Sequence, residues 1–210
     1  MSPSAPPAAA RKRPWYLVVA LVVVSILGAL GLTEGLAIVS EYRGGHIDAT
    51  QLLAGVELES DRTAILDALD RREQALEDEK SKLFPLAVAE LLLGAAMFGL
   101  SAGAMAGRPG ARASLVQVVA VHAALVIATW VLTPRTRYAD RAANVAQANA
   151  GLHMQHNDPE VTKQTEAMTP MLAVGRDAVV LMFSTMVSVL VIVALTRKRA
   201  LEFYEPAAEG

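Results

Sequence analysis

The sequence predicts an all-α integral membrane protein: a bundle of four transmembrane helices, both termini cytoplasmic, with a helical extracytoplasmic cap built from two long loops. Three observations predict it. The 210-residue chain is 53% hydrophobic, above the roughly 45–50% of a soluble domain, and its mean hydropathy is +0.36. Its apolar residues are pooled into four blocks rather than spread at a helical or strand period. Its basic clusters lie at one set of block ends.

The blocks run from Trp15 to Val39, Phe84 to Ala106, Ala113 to Thr133 and Ala178 to Thr196. Each is long enough to cross a hydrocarbon core of about 30 Å at ~1.5 Å per residue. Lipid offers no partner to a backbone amide, so each block is expected to be a helix. Residues 1–14 and 197–210 are then tails around a membrane domain of residues 15–196, with loops at 40–83 and 134–177.

Orientation follows from charge. Arg11, Lys12 and Arg13 precede the first span, Arg108 and Arg112 flank the short turn between the second and third, and Arg197, Lys198 and Arg199 follow the fourth. From Glu41 to Leu83 there are eleven acids against six bases, and from Pro134 to Gly175 four of each. The positive-inside rule places the termini and the short turn in the cytoplasm and both long loops outside. A cleavable signal peptide ending near Ala29 to Gly31 is the rival for the first span, but the apolar run continues past the length an h-region needs. Alanine and arginine richness suggests a bacterial chain, hence a bacterial cytoplasmic (inner) membrane.

Net charge is −2, which points away from nucleic acid. The absence of cysteine excludes disulfides, thiolate metal sites, iron–sulfur clusters and cysteine nucleophiles. The sequence contains no Walker loop, GxSxG, HExxH or dinucleotide fingerprint. Only His122 lies in a span, so a bis-histidine haem site has no second ligand. No cofactor and no enzymatic activity are expected. The tail "SPSAPPAAA" reads as disordered and "EFYEPAAEG" as short and acidic; neither has room for an output domain, so a signalling role would need a separate chain.

The segment from Ser60 to Leu83 is expected to be helical and continuous with the second span, with Ser60 as N-cap and Asp61 in the first turn. Asp67 with Arg71, and Asp78 with Lys82, are i,i+4 pairs. Leu69, Leu76 and Leu83, with Ile65 beside them, make a half-formed seam interrupted by Arg72 and Glu79. A solvated helix packed on one face is the plain reading; the sharper one is a seam that docks a partner. Pro85 is placed to kink the helix. The second loop reads as helix from Arg137, interrupted or ended at Gly151, and restarting with Asp158 as cap and Pro159 at the first helical position.

Three polar groups interrupt the spans. Glu34 and Glu90 each lie five or six residues from the outer end of their span, so at ~8–9 Å below it they are candidates to face one another. His122 sits near mid-span, ~15 Å deep, and is expected to reach them only through an intermediary. Ionisable groups in spans face the bundle or a wet cavity, so a proton or cation path through Glu34, Glu90 and His122 is the sharp hypothesis, and structural polar detail the plain and favoured one. Gly31 and Gly35 on the first span, with Gly28 on the same face, and Gly99, Gly103 and Gly107 on the second, have the small-xxx-small spacing of close helix packing. Ser184 and Ser188 make a similar small face. "HMQHND" places His153, His156 and Asp158 within six residues, a weak metal candidate that falls short of a full zinc set.

These features favour a non-enzymatic packing or accessory subunit that associates through its glycine faces and outer helix, as a homo-oligomer or with another membrane subunit, in contact with lipid. The alternatives are a proton- or cation-linked transporter or channel using Glu34 and Glu90, and an outer-loop sensor that signals through a separate chain.

Overall fold

A computed structural model describes residues 13–44, 52–155 and 159–204. Helix α1 spans Trp15–Tyr42, α2 Glu59–Met105, α3 Pro109–Leu132, α4 Pro134–Gln155, α5 Pro159–Thr196 and α6 Lys198–Tyr204; no strand occurs among the described residues. Four of these helices (α1, α2, α3 and α5) are long and apolar enough to cross a membrane. Three begin on proline, whose fixed φ suits the first helical turn and whose missing N–H is no loss there.

The long helices overrun the apolar blocks. The expected continuity of the 60–83 segment with the second span holds: α2 runs unbroken through Pro85. The same is true of α5 through Pro170. Two expected breaks move. Gly151 lies inside α4, where its helix-weakening effect is only about 1 kcal/mol. Ser60 lies inside α2, whose N-cap is Leu58, with no side-chain cap.

One pattern organises the bundle. On α1 the buried positions include Leu17, Leu21, Val24, Gly28, Gly31 and Gly35, alternating four and three apart. This is a heptad seam, the geometry of left-handed helix pairing. The facing seam on α2 reads Leu69, Arg72, Leu76, Glu79, Leu83, Ala87, Glu90, Gly94, Met97, Ser101 and Ala104. Its spacing slips once, with two successive steps of four at Leu83 and Ala87, beside Pro85. Such a stutter locally unwinds the supercoil.

The two helices touch backbone to backbone at the glycines. A Cβ placed on Gly28 would lie 2.8 Å from the Gly94 oxygen, and one on Gly35 2.8 Å from the Ala87 oxygen. A Cβ on Gly94 would lie 2.7 Å from the Gly28 oxygen and from the Leu32 nitrogen. The expected stripe on α2 is different. Gly99 meets nothing within 4 Å, Gly103 faces Ala111 of α3, and Gly107 holds a turn at φ +78°. These three glycines share spacing but not a packing face. Ser188 is buried on α5, and its hydroxyl donates to the Ser184 carbonyl.

The leucine seam is spent inside the chain. Ile65, Leu76 and Leu83 are buried, Ile65 in a small cap core with Val56 and Ala150. Asp78 pairs with Arg135 at 2.9 Å rather than with Lys82. At the opposite end, residues expected to be tail form α6, which tucks Ala200 and Tyr204 under the bundle in one core with Leu17, Leu115 and Leu195. The Tyr204 hydroxyl donates to the Ala104 carbonyl at 2.8 Å. Two arginines close helix ends there: Arg13 donates to the Met105 carbonyl at 2.6 Å, and Arg112 to the Leu195 carbonyl at 2.9 Å.

Candidate functional site

Polar residues stand at four positions of the α2 seam, and three of them hydrogen-bond a partner on another helix. Arg72 bonds Glu41 of α1 and, at 2.6 Å, Asp140 of α4. Glu79 accepts from the Arg135 and Thr136 amides at 3.2 and 2.9 Å and from the Thr136 hydroxyl at 2.8 Å. These donors open α4, so a carboxylate from α2 caps it, where the helix dipole also favours negative charge. Ser101 shares a 2.8 Å hydrogen bond with Ser25 of α1.

Glu90 is the exception. Its neighbour is His122 of α3, with Nε2 and Oε1 3.9 Å apart, too far for a hydrogen bond. Both residues are deeply buried, at 8% and 4% relative exposure. Neither ring nitrogen of His122 has a hydrogen-bond partner, although a buried polar atom left this way costs about 1–3 kcal/mol. The third wall is Gly31, whose Cβ position lies 3.5 Å from His122 Nε2 and 3.7 Å from Glu90 Cγ. Glycine leaves that wall open.

This arrangement corrects the expected depths. Span edges taken from hydropathy put Glu90 well above His122, but the helices are in another register. Glu79 is level with the start of α4. Glu90 is eleven residues along α2 from Glu79, and His122 eleven along α3 from Thr133. Both are therefore ~16 Å from the cap joint. Gly31 is the α1 residue packed against Glu90, and Glu34 lies three residues further along α1, exposed and about one turn nearer the cap.

A dry layer closes the opposite side. Leu17, Leu21, Val24, Met97, Leu115 and Val119 are buried in one cluster between the Glu90–His122 pair and the α6 end of the bundle. The Ser25–Ser101 hydrogen bond interrupts it.

The third constellation lies in the cap. His153 of α4 stands between two carboxylates, Asp61 of α2 at 2.7 Å from Nδ1 and Glu166 of α5 against Nε2. Its expected companions His156 and Asp158 lie outside the described residues. Because both ring nitrogens face carboxylates, His153 is engaged as a bridge rather than free as a ligand. Among the described residues no group of three His, Asp or Glu is arranged to hold a metal ion. Sequence reasoning missed Asp61 and Glu166 as its partners, since only tertiary packing brings the three helix segments together. It had a usable signal for Glu90, which continues the seam begun by Arg72 and Glu79. A scan of protein-family models and searches of curated proteins and solved structures find no match to this chain.

Proposed function

We propose that this chain is a multi-pass protein of a bacterial cytoplasmic membrane, with termini inside and the helical cap outside, and that it carries a proton at the Glu90–His122 pair as part of proton-linked transport. The observation that carries the reading is the exception on the α2 seam. The other polar seam residues are hydrogen-bonded, whereas His122 is buried with two unpartnered nitrogens beside a buried acid.

An imidazole and a carboxyl this close hold a proton in two ways, as imidazolium beside carboxylate or as imidazole beside carboxylic acid. A shift of under about 1 Å brings them to hydrogen-bond distance. Glu34 is the next ionisable group along α1 towards the cap, about one turn from Gly31, which packs against the pair. The dry layer beyond the pair favours a carrier whose helices must part over a standing pore.

The test is proton entry into liposomes that contain the purified protein and a trapped pH dye, under an imposed potential. Wild type should pass protons, and Glu90→Gln or His122→Gln should slow entry at least about tenfold with helicity unchanged. Wild-type flux no greater than that of empty liposomes would overturn the proposal. An accessory role drew on glycine and leucine faces, and most of these are used within the chain. A foreign subunit recovered by crosslinking in native membranes, together with no flux from the lone protein, would restore it.

A further inference from the structure

The bridge at His153 ties the three cap segments together, and its chemistry sets a condition. A neutral imidazole has one N–H. It donates to one carboxylate and presents a lone pair to the other. Only imidazolium donates from both nitrogens, to Asp61 and Glu166 at once.

What the clamp holds is the cap portion of α5. From Met171 to Met186 no residue of α5 is buried, so little apolar packing ties this stretch to the bundle. Near it, His153 of α4 pairs with Glu166, and Arg141 of α4 with Asp177 at 2.8 Å. The second pair joins a guanidinium to a carboxylate; the first contains a histidine.

We propose that His153 is a proton-operated clamp, which holds the cap end of α5 against α4 and α2 when protonated and releases it when neutral. Among the described residues, the charged groups that face the ring are Asp61 from α2 and Glu166 from α5. Arg62, next to Asp61, is turned away to the Val56 carbonyl at 2.8 Å. The hydrogen bond to Asp61 is the largest influence on the ring; with the Asp61 and Glu166 charges it outweighs desolvation and holds the pKa above the ordinary histidine value. A raised folded-state pKa gives stabilisation that is complete below the unfolded value of about 6.5 and disappears as pH rises through the folded one. The clamp is therefore closed in acid and open in alkali.

The chain has no cysteine, so two can be introduced without background. Spin labels on Ala64→Cys of α2 and Lys163→Cys of α5, both exposed positions, report the gap by electron–electron distance measurement in nanodiscs. The distribution should be narrow at about pH 6 and lose its narrow peak to longer distances at about pH 9. His153→Gln should show the long, broad distribution at both, and so should Glu166→Gln, which keeps the shape but removes one anchor. Distances that do not change with pH in the wild type, or a wild-type response retained in both variants, would overturn the clamp.

Discussion

Gly94→Ala is expected to be the most damaging single-methyl change in this protein. The new Cβ would lie 2.7 Å from two backbone atoms of α1, the Gly28 oxygen and the Leu32 nitrogen. Backbone cannot swing aside as a side-chain tip does, so the helices must separate along the seam. Overpacking of this kind costs about 1–3 kcal/mol. Gly28→Ala and Gly35→Ala should behave alike, since their Cβ positions also meet backbone at 2.8 Å. Gly99→Ala is the control. Nothing lies within 4 Å of it, and replacing an open helical glycine gains about 0.5–1 kcal/mol. Thermal unfolding in detergent, followed by circular dichroism, should separate the two classes. Equal midpoints for Gly94→Ala and Gly99→Ala would refute the close α1–α2 contact.

Removing the Glu79 side chain should be at least as costly. Glu79→Ala leaves two amides and a hydroxyl at the start of α4 without their acceptor, a loss of about 2–4 kcal/mol. Burial pushes this carboxyl up, but the hydrogen bonds from Thr136 and Arg135 outweigh it and hold its pKa below the ordinary value. Its stabilisation is thus present above the unfolded value of about 4.3 and fades as pH falls through the folded one. Unfolding midpoints of wild type and Glu79→Gln should converge in acid and diverge towards neutrality. A gap that is constant with pH would show that the charge on Glu79 does not contribute.

The four apolar helices were legible because hydropathy and length alone mark them. The polar contacts inside the bundle were only partly legible. A helical wheel shows which residues share a face, but not which face meets which neighbour. Gly99, Gly103 and Gly107 share spacing yet serve three different surroundings, while Gly94, outside the stripe, makes the closest approach. Depth failed for a related reason. The hydropathy edge of α2 near Phe84 is not level with the end of α3, because Glu79 is drawn to the start of α4. That one contact shifts the register enough to set Glu90 beside His122. The charged outer helix looked solvated because Arg72 and Glu79 interrupt its leucines. Both sit on the seam and are satisfied there by other helices, which a single helix cannot reveal.

In the proposed membrane topology, the arginines at the α6 end have two roles that experiments usually treat separately. Arg13 and Arg112 supply positive charge beside the apolar helices, and each also occupies a carbonyl at the C-terminal end of another helix. A charge-relocation experiment on these two would disturb orientation and helix termination together, and a misplaced chain would be hard to tell from a loosened one. Lys198 and Arg199 are exposed and carry the same sign, so the orienting signal can be altered there while the plugs at Arg13 and Arg112 remain in place.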